Sequence, residues 1–392
     1  MPPASYHAEP YRRTLTARVF ACRPEPGGGY AVVLADTLLR PAGGGQPADR
    51  GWLDGHPVRG LEARADGRVS HRVDVPLSGA VQVELDWPRR YDHMQQHTAQ
   101  HLLTAIAGAE LGLRTTAFHL GEAHSDLELD IPEIDAGLAA DLQQRVNAAV
   151  RRGLPVRSGW VDEESYRRLE VRSRLLPAGL SGPYRLVEIE GLDRNTCTGT
   201  HVASTAEVQA VVLADSEQLR GGTRVFFLAG GRVLAALGER LARERTLNRL
   251  LSCGPPDHPA AIERLQAEVR AARQRARARR QELADQLGAG LAAGPFPAAL
   301  HRPDDDMAML QAVARAMLER RPDGVALLTA GRGSGVFVLA GPAERVARLG
   351  PRVAEQLDGR GGGAGALYQG RAAALDRRRA ALELLRCGGL DD

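Results

Sequence analysis

The chain has 392 residues, of which 43% are hydrophobic and 25% are charged, and its formal net charge is +3. This length exceeds what one core supports and favours about two to three domains, while the near-neutral charge excludes a protein that binds nucleic acid simply as a polycation. Four scattered cysteines and the lack of any long apolar run argue against a disulfide-stapled or membrane-spanning protein, so we expect a cytoplasmic location without membrane contact.

The pattern of residues 1–88 predicts β structure. Short β-branched runs such as YAVVLADTLL, GRVSHRVDV and GAVQVELDW are separated by glycine and proline, a spacing that favours a small β-barrel. In residues 89–235, helix and strand signals alternate. A helix with one broad apolar side covers 91–111, and a later amphipathic helix is stopped by Gly153 and Pro155. We predict a two-layer α/β core for this segment.

The second half of the chain contains two segments with different sequence patterns. Residues 236–290 have an almost entirely helical pattern, thinly apolar and rich in arginine, which predicts a helical hairpin arm or coiled coil. Residues 291–392 alternate strand and helix signals around a glycine cluster, DGRGGGAGALYQG, and end in a basic helix. They predict a small, separate α/β domain, so the fold class of the whole chain is α+β.

The stretch RRYDHMQQHTAQHLLTAI carries three histidines at helical spacing, His93, His97 and His101. Residues four apart lie on one helix face about 5–6 Å apart at Cβ, so His97 and His101 form half of a metal site, although a solvated face explains most such pairs. The distant stretch NTCTGTHVAST supplies Cys197 and His201, again four apart. One thiolate and three imidazoles match tetrahedral zinc.

The remaining residues around these candidates have plainer interpretations. His93 continues the series of histidines spaced four residues apart, but four other candidates already complete a tetrahedral set of metal ligands. His119 and His124 lie in or near a predicted strand pair and are interpreted as satisfied or surface histidines. Gly199, between Cys197 and His201, is expected to permit a tight turn.

Three motifs follow one another along the chain: RPAGGGQPADRGWLDG, HTAQHLL and CTGTHV. Together they resemble the editing domain shared by alanyl-tRNA synthetases and the free-standing alanyl-tRNA editing proteins. The tail resembles, more loosely, the C-terminal domain of alanyl-tRNA synthetases, so the resemblance covers most of the chain. It implies a long editing protein that holds Zn²⁺ with the four candidate ligands.

This resemblance implies a trans-editing hydrolase that removes serine, or glycine, from mischarged tRNA(Ala). The sequence shows no aminoacylation core ahead of the first strand and no Walker-type loop, so we expect ATP-independent ester hydrolysis rather than tRNA charging. An alanine pocket rejects glycine and serine only weakly, which is why a second hydrolytic site is needed. Two alternatives stay open: a non-catalytic tRNA-binding protein with a structural zinc, and an editor of another mischarged tRNA such as Ser-tRNA(Thr).

The glycine-rich loop supplies the second set of candidate residues. A glycine cluster alone predicts a hairpin turn, but the resemblance favours a pocket wall, with the Gln46 amide donating to an ester oxygen or holding water. Leu39 and Arg40 stand where the family commonly has aromatic residues. The candidate pocket residues are Thr37, Gly44, Gly45, Gln46, Asn195, Thr198 and Thr200. The sequence leaves open whether zinc activates water or only orients the substrate.

Arginines are the candidates for contact with tRNA. Those before the ligand helix, Arg89 and Arg90, suit the acceptor end. Those in the tail combine guanidinium groups with a glycine-rich backbone and are Arg360, Arg371, Arg377, Arg378 and Arg379. The arginine run at 270–280 suits a solvated face as well as an RNA site. A homodimer through the helical arm or the C-terminal domain is a further expectation.

Overall fold

The computed structural model describes residues 4–172 and 183–387 of the chain. It divides into two compact units, Met1–Arg245 and Thr246–Asp392, and the boundary falls within one long helix. Nine α-helices and four β-sheets occur in these described ranges, which confirms the mixed α+β class. Among these helices, none combines the length and apolar character needed to span a bilayer.

The first unit begins with a curled antiparallel sheet of seven strands. A short helix, α1 (Ser5–Ala8), precedes β1 (Thr14–Pro24), β2 (Tyr30–Leu34), β3 (Gly51–Leu53), β4 (His56–Pro57), β5 (Gly60–Ala63), β6 (Val69–Val73) and β7 (Ala80–Leu85). The strand order is β4-β3-β7-β1-β2-β6-β5. Because β4 and β5 occupy opposite edges but are joined only by residues 58–59, the sheet has to roll round until its edges approach. The result is a half-barrel.

Alternating side chains give this sheet its core. In β7 the sequence AVQVEL buries Val81, Val83 and Leu85 and exposes the residues between them, as expected for a strand with one face in water. These three residues share an apolar cluster with Val32 and Leu34 of β2. Since β7 ends immediately before the next helix, the half-barrel also fixes where that helix begins.

Helix α2 (Trp87–Leu111) carries an unusual buried surface. The Asp86 carboxylate accepts a hydrogen bond from the Arg89 amide at its start, and Gly112, with φ of +68°, ends it. Of its 16 buried residues, nine are polar or charged. Buried polar groups need partners, so this helix marks a site rather than an ordinary core.

The other elements of the first unit surround α2. They are β8 (Thr115–Leu120), β9 (Ser125–Leu129), α3 (Ala136–Arg151), β10 (Val156–Val161), α4 (Glu163–Arg168), β11 (Tyr184–Ile189), β12 (Asp193–Thr196), β13 (Val211–Leu219) and β14 (Gly222–Ala229). They form two antiparallel sheets, ordered β13-β14-β9-β8 and β10-β11-β12. Residues of both sheets share one apolar cluster with α2 and α3, so the core lies between helices and strands.

The second unit is a five-stranded sheet between helices. After the boundary helix α5 (Gly231–Leu251) come α6 (His258–Ala293), β15 (Ala298–His301), α7 (Met307–Arg320), β16 (Ala326–Gly331), β17 (Gly335–Ala340), α8 (Ala343–Gln356), β18 (Gly359–Gly362), β19 (Leu367–Ala372) and α9 (Arg378–Cys387). The strand order is β15-β16-β17-β19-β18. Along β16, Leu328 packs on the side of α6 and α7, and Leu327 packs on the side of α8 and α9.

Helix α6 extends past residue 290, where the sequence pattern placed the end of the helical arm. A Cβ atom on Gly288 would lie 2.7 Å from the Cβ of Ala316, so α6 and α7 approach closely at this point. Ala284 and Ala292 belong to the same apolar cluster as α7. The last turns of α6 are therefore part of the core of the second unit, because small residues there allow close helix packing.

Candidate metal centre

Helix α2 places two histidines side by side. His97 and His101 are one turn apart, both are buried, and their ring centroids are separated by 5.2 Å. Their spacing of four residues puts them on one face, as the sequence predicted. The same face continues with Gln100, Thr104 and Gly108 into a cavity.

The second pair of residues lies in the loop after β12. The Cys197 amide donates to the Arg185 carbonyl at 3.1 Å, and the Arg185 guanidinium donates to the carbonyls of Cys197 and Gly199 at 2.7 and 2.8 Å. A Cβ atom on Gly199 would lie 2.0 Å from Cε1 of His97. Glycine is therefore required at this position because the loop lies against α2. The close contact with the helix, and not the tight turn expected from the sequence, is the reason for the glycine.

The four residues converge on one point. One donor atom from each of His97, His101, Cys197 and His201 lies within 4.8 Å of the others. The Cys197 Sγ atom is 3.4 Å from Nε2 of His97 and 3.4 Å from Nε2 of His201. Such a set of a thiolate and imidazoles is able to hold a divalent metal ion.

Each imidazole is supported from its outer side. Nδ1 of His97 lies 3.0 Å from Oε1 of Gln46, and Nδ1 of His201 lies 3.2 Å from Oγ1 of Thr98. Nδ1 of His101 faces the Asp193 carboxylate at 3.6 Å. Carboxylate, amide and hydroxyl groups in these positions orient metal-binding histidines.

The Gln46 contact also fixes which nitrogen of His97 carries the proton. The Thr200 amide donates to a Gln46 side-chain atom at 3.0 Å, so that atom is the oxygen Oε1. Oε1 can only accept a hydrogen bond, so Nδ1 of His97 must be the donor toward it. The Nε2 lone pair of His97 is then free to face the cluster.

The electrostatic balance of the cluster favours the metal-binding forms of Cys197 and His97 but not that of His101. Burial opposes ionisation of the Cys197 thiol, but His97 and His201 hold its pKa well below the ordinary value. Burial lowers the pKa of His97. Burial also acts against protonation of His101, but Asp193 and Cys197 outweigh it and raise its pKa to about 9. A metal ion would compete with that proton, so its binding depends on pH.

The cluster opens into a cavity of about 1220 Å³ in the first unit. His97, His101 and Cys197 are in its wall. The residues predicted for the pocket divide into those that line this cavity and those that lie behind its wall. The lining residues among them are Gly44, Gly45, Asn195 and Thr198.

Gln46, Thr200 and Thr37 do not line the cavity. The Gln46 amide nitrogen donates to Thr200 Oγ1 at 2.9 Å, and both side chains are buried. Gln46 is thus occupied with His97 and Thr200, and the expectation that its amide faces the substrate is wrong for this arrangement. The Thr37 hydroxyl lies 2.8 Å from Nε2 of His71, so it is used within the curled sheet.

The glycine-rich loop is a hairpin turn that also forms part of the cavity wall. Gly43 and Gln46 exchange backbone hydrogen bonds at 3.1 and 3.0 Å, and Gly44 and Gly45 between them have φ of +55° and +79°. A Cβ on Gly45 would lie 2.4 Å from the ring of Phe118. The loop is therefore a hairpin turn whose two glycines lie in the cavity wall, and its role in a substrate pocket stays a prediction.

Beneath the loop lies a buried ionic network that the sequence did not reveal. The Asp49 carboxylate pairs with the Arg90 guanidinium, and each side chain is 1% exposed. Asp49 also accepts from the Arg40 amide at 2.6 Å, while the Arg40 guanidinium donates to the carbonyls of Gly43 and Thr198. Arg90 therefore has no surface for RNA, which corrects its predicted role as a tRNA contact.

The other predicted tRNA contacts are placed more openly. Arg89 is ion-paired with Glu122 at 2.9 Å. Arg360 and Arg371 face each other across β18 and β19 in a cleft of about 720 Å³. Like charges opposite each other destabilise a strand pair unless an anion or solvent screens them. Of the remaining three, Arg377 ends the short 3-10 turn before α9, and Arg378 and Arg379 begin that helix.

Known proteins resemble the chain over nearly its full length. A family model described as "Threonyl and Alanyl tRNA synthetase second additional domain" matches residues 184–225, which include the cysteine loop. The alanyl-tRNA editing protein Aarsd1 of Mus musculus is 38% identical over 395 residues, which cover 96% of this chain and 95% of that protein. The chain belongs to the alanyl-tRNA editing protein family.

Further similarities extend to archaea and to a solved structure. The alanyl-tRNA editing protein AlaX-L of Pyrococcus horikoshii is 28% identical to this family member, with 93% of each chain covered. The solved C-Ala domain of Aquifex aeolicus alanyl-tRNA synthetase is 24% identical, with 24% of this chain and 90% of that chain covered and a TM-score of 0.22.

The position of Gln46 in this editing-family protein leads to a prediction. Replacing Gln46 by alanine is expected to weaken the affinity for added Zn²⁺ about 10- to 100-fold, because His97 loses the acceptor that orients it. Competition with a chromophoric chelator measures this affinity. Gln46→Glu keeps an acceptor for Nδ1 of His97 and is expected to retain most of it. Equal Zn²⁺ affinities of Gln46→Ala and the parent protein would contradict this supporting role.

Proposed function

We propose that this protein is a zinc-dependent aminoacyl-tRNA hydrolase that removes serine, or glycine, from mischarged tRNA(Ala). The observation that carries the proposal is the position of His97, His101 and Cys197 in the wall of a large cavity. Four protein ligands leave a tetrahedral zinc no open position, as in structural sites, so it is the access of a substrate through the cavity that favours a catalytic role. The relatives named for alanyl-tRNA editing supply the substrate class.

The donor set is the reason for assigning zinc. One thiolate with three imidazoles suits this borderline-soft ion better than the oxygen-seeking magnesium or calcium. The lowered pKa of Cys197 and that of His97 favour the unprotonated forms that bind metals. When bound, zinc would polarise the ester carbonyl or activate a water molecule. The protein itself orients the imidazoles through Gln46, Thr98 and Asp193.

The cavity wall contains groups suited to recognising the aminoacyl part. A Cβ on Gly44 would lie 2.9 Å from the Thr198 hydroxyl. Only glycine at position 44 therefore avoids a steric clash with that hydroxyl. We assign Thr198 and Asn195 to the serine hydroxyl. A site that forms a hydrogen bond to a substrate hydroxyl discriminates strongly against an analogue without it, which protects correctly charged Ala-tRNA(Ala) and makes serine a better substrate than glycine.

A panel of charged tRNAs tests the proposal. Full-length protein loaded with zinc is incubated with Ser-tRNA(Ala), Gly-tRNA(Ala), Ala-tRNA(Ala) and Ser-tRNA(Thr), and the remaining ester is measured. Hydrolysis of Ser-tRNA(Ala) with Ala-tRNA(Ala) spared is the expected result. Preference for Ser-tRNA(Thr) would identify an editor of another pair. A folded, zinc-loaded protein that hydrolyses none of them would be a tRNA-binding protein with a structural zinc.

In this proposal the barrel (1–88) and the core (89–235) perform the hydrolysis, and the tail (291–392) holds the tRNA. Arg360 and Arg371 are the strongest candidates for this contact, because they are paired across β18 and β19 in one cleft and guanidinium groups suit a phosphate. Contacts far from the ester raise affinity without altering the chemical step.

The double variant Arg360→Ala/Arg371→Ala is expected to bind tRNA(Ala) more weakly, with a shallower dependence on salt. Removing one arginine that neutralises a phosphate lowers the slope of log K against log salt by about one. Filter binding at several salt concentrations measures the slope. The charge-matched variant Arg59→Ala/Arg64→Ala in the first unit is the control, because these two exposed arginines are not candidates for contact with tRNA. Equal slopes for the two double variants would remove the cleft from the proposal.

A further inference from the structure

Trp160 is a large aromatic side chain in the wall of the cavity. It lies on β10 and is 43% exposed. Neither the candidate metal ligands nor the groups assigned to the aminoacyl part include it. Tryptophan exposed beside a cavity commonly marks a surface for a ligand, because its apolar area gains from being covered.

Strand register gives the distance between Trp160 and the metal cluster. Trp160 pairs with Arg185 on β11, and the Cys197 amide donates to the Arg185 carbonyl from the other side of that strand. The three residues therefore form one row across the sheet, and residues in such a row share a face. With strands about 4.8 Å apart, the Cα atoms of Trp160 and Cys197 are separated by about 10 Å.

The position of Trp160 is supported by its neighbours. The His7 ring packs edge-on against the indole with centroids 5.8 Å apart, and Nε2 of His7 lies 2.9 Å from the Thr198 carbonyl. Arg185, the next residue in the row, is bonded to the ligand loop. A flat side chain that is held in place loses little freedom when a ligand covers it.

The charges near Trp160 indicate what kind of ligand suits it. Arg172 donates to Asp193 at 2.8 and 2.6 Å, and Arg114 donates to Asp130 at 3.1 and 2.5 Å. These two cations of the cavity wall are already paired, and the third, Arg185, donates to the carbonyls of Cys197 and Gly199, so the wall beside Trp160 does not favour an acidic peptide. A neutral, flat group fits this environment better. The volume, about 1220 Å³, exceeds the roughly 300–1,000 Å³ typical of pockets for drug-sized ligands.

We propose that Trp160 is the stacking surface for the terminal base of an RNA 3′ end whose aminoacyl ester lies at the metal cluster. This inference rests on the proposed function. The row from Cys197 to Trp160 spans the ribose that separates the ester from the base. Stacking uses the face of the base rather than its edge, so Trp160 contributes affinity and position but does not read base identity.

The test measures binding of full-length protein to RNA minihelices carrying the acceptor stem of tRNA(Ala), one ending in CCA and one ending in CC. We expect removal of the terminal adenosine to weaken binding to the parent protein about 5- to 150-fold. Trp160→Ala should bind the two RNAs equally. Trp160→Phe should keep most of the difference, and Trp160→Leu should behave like Trp160→Ala.

Trp52 provides a matched control. It is 38% exposed on β3 and is not among the residues that line the cavity in the described part of the chain. Trp52→Ala should keep the parent preference for the CCA end. Retention of that preference by Trp160→Ala, or equal behaviour of Trp160→Leu and Trp160→Phe, would overturn the inference. Because these RNAs carry no ester, the result is independent of whether the protein hydrolyses Ser-tRNA(Ala).

Discussion

Replacing Cys197 by alanine should reduce bound zinc from about one per chain to a small fraction and remove nearly all hydrolysis of Ser-tRNA(Ala). The Sγ atom of Cys197 lies 3.4 Å from two of the three imidazole nitrogens, and it is the one anionic donor in the cluster. Its loss should weaken Zn²⁺ binding by more than the roughly 10- to 100-fold expected for an outer residue such as Gln46. Elemental analysis of the purified protein and single-turnover hydrolysis provide the two measurements.

Two variants serve as controls for this result. Cys253→Ala removes a thiol from the second unit, and His56→Ala removes an exposed imidazole on β4. Both should keep full zinc and full activity. A Cys197→Ala protein with one zinc per chain would show that the four residues are not the metal site.

Asp49→Ala is expected to destabilise the first unit by about 3–5 kcal/mol, because it leaves the buried Arg90 guanidinium without its counter-charge. The Arg90 guanidinium donates to both oxygens of Asp49, and both side chains are shielded from water. All three tryptophans, at positions 52, 87 and 160, lie in the first unit. Tryptophan fluorescence during denaturant unfolding therefore follows this unit alone.

Two comparisons separate the effect of charge pairing from that of packing. Arg50→Ala breaks an exposed pair with Glu122 and should change the unfolding midpoint very little. The double variant Asp49→Leu/Arg90→Met removes both charges and should recover much of the stability that Asp49→Ala removes. If Asp49→Ala unfolds at the same denaturant concentration as Arg50→Ala, the ionic network does not stabilise the unit.

The sequence was most informative where the relevant spacing is local. His97 and His101 share a helix face because of the helical repeat, and Cys197 and His201 lie within one short loop. The alternation in β7 likewise identified a strand with one buried face. Ligand chemistry and the family resemblance together suggested that the two pairs of ligands belong together, and the structure brings them to one point.

The sequence was least informative where a role depends on contacts between distant segments. Arg90 follows another arginine near a helix start, where such residues are usually solvated, and only the approach of Asp49 explains its burial. Gln46 was expected to face the substrate, but the loop turns it toward His97. The curl of the first sheet, which sets both contacts, follows from strand pairing that no local pattern specifies.

The separation of the ligands along the chain also affects how the protein matures. Cys197 and His97 are 100 residues apart, and Gln46 comes from a third segment. Closing such long loops is slow and entropically unfavourable, so these groups meet only after the half-barrel, α2 and the β12 loop have come together. In the proposed zinc-binding protein, metal uptake would therefore be a late step in the maturation of the first unit, and the free energy of binding would stabilise that unit as a whole.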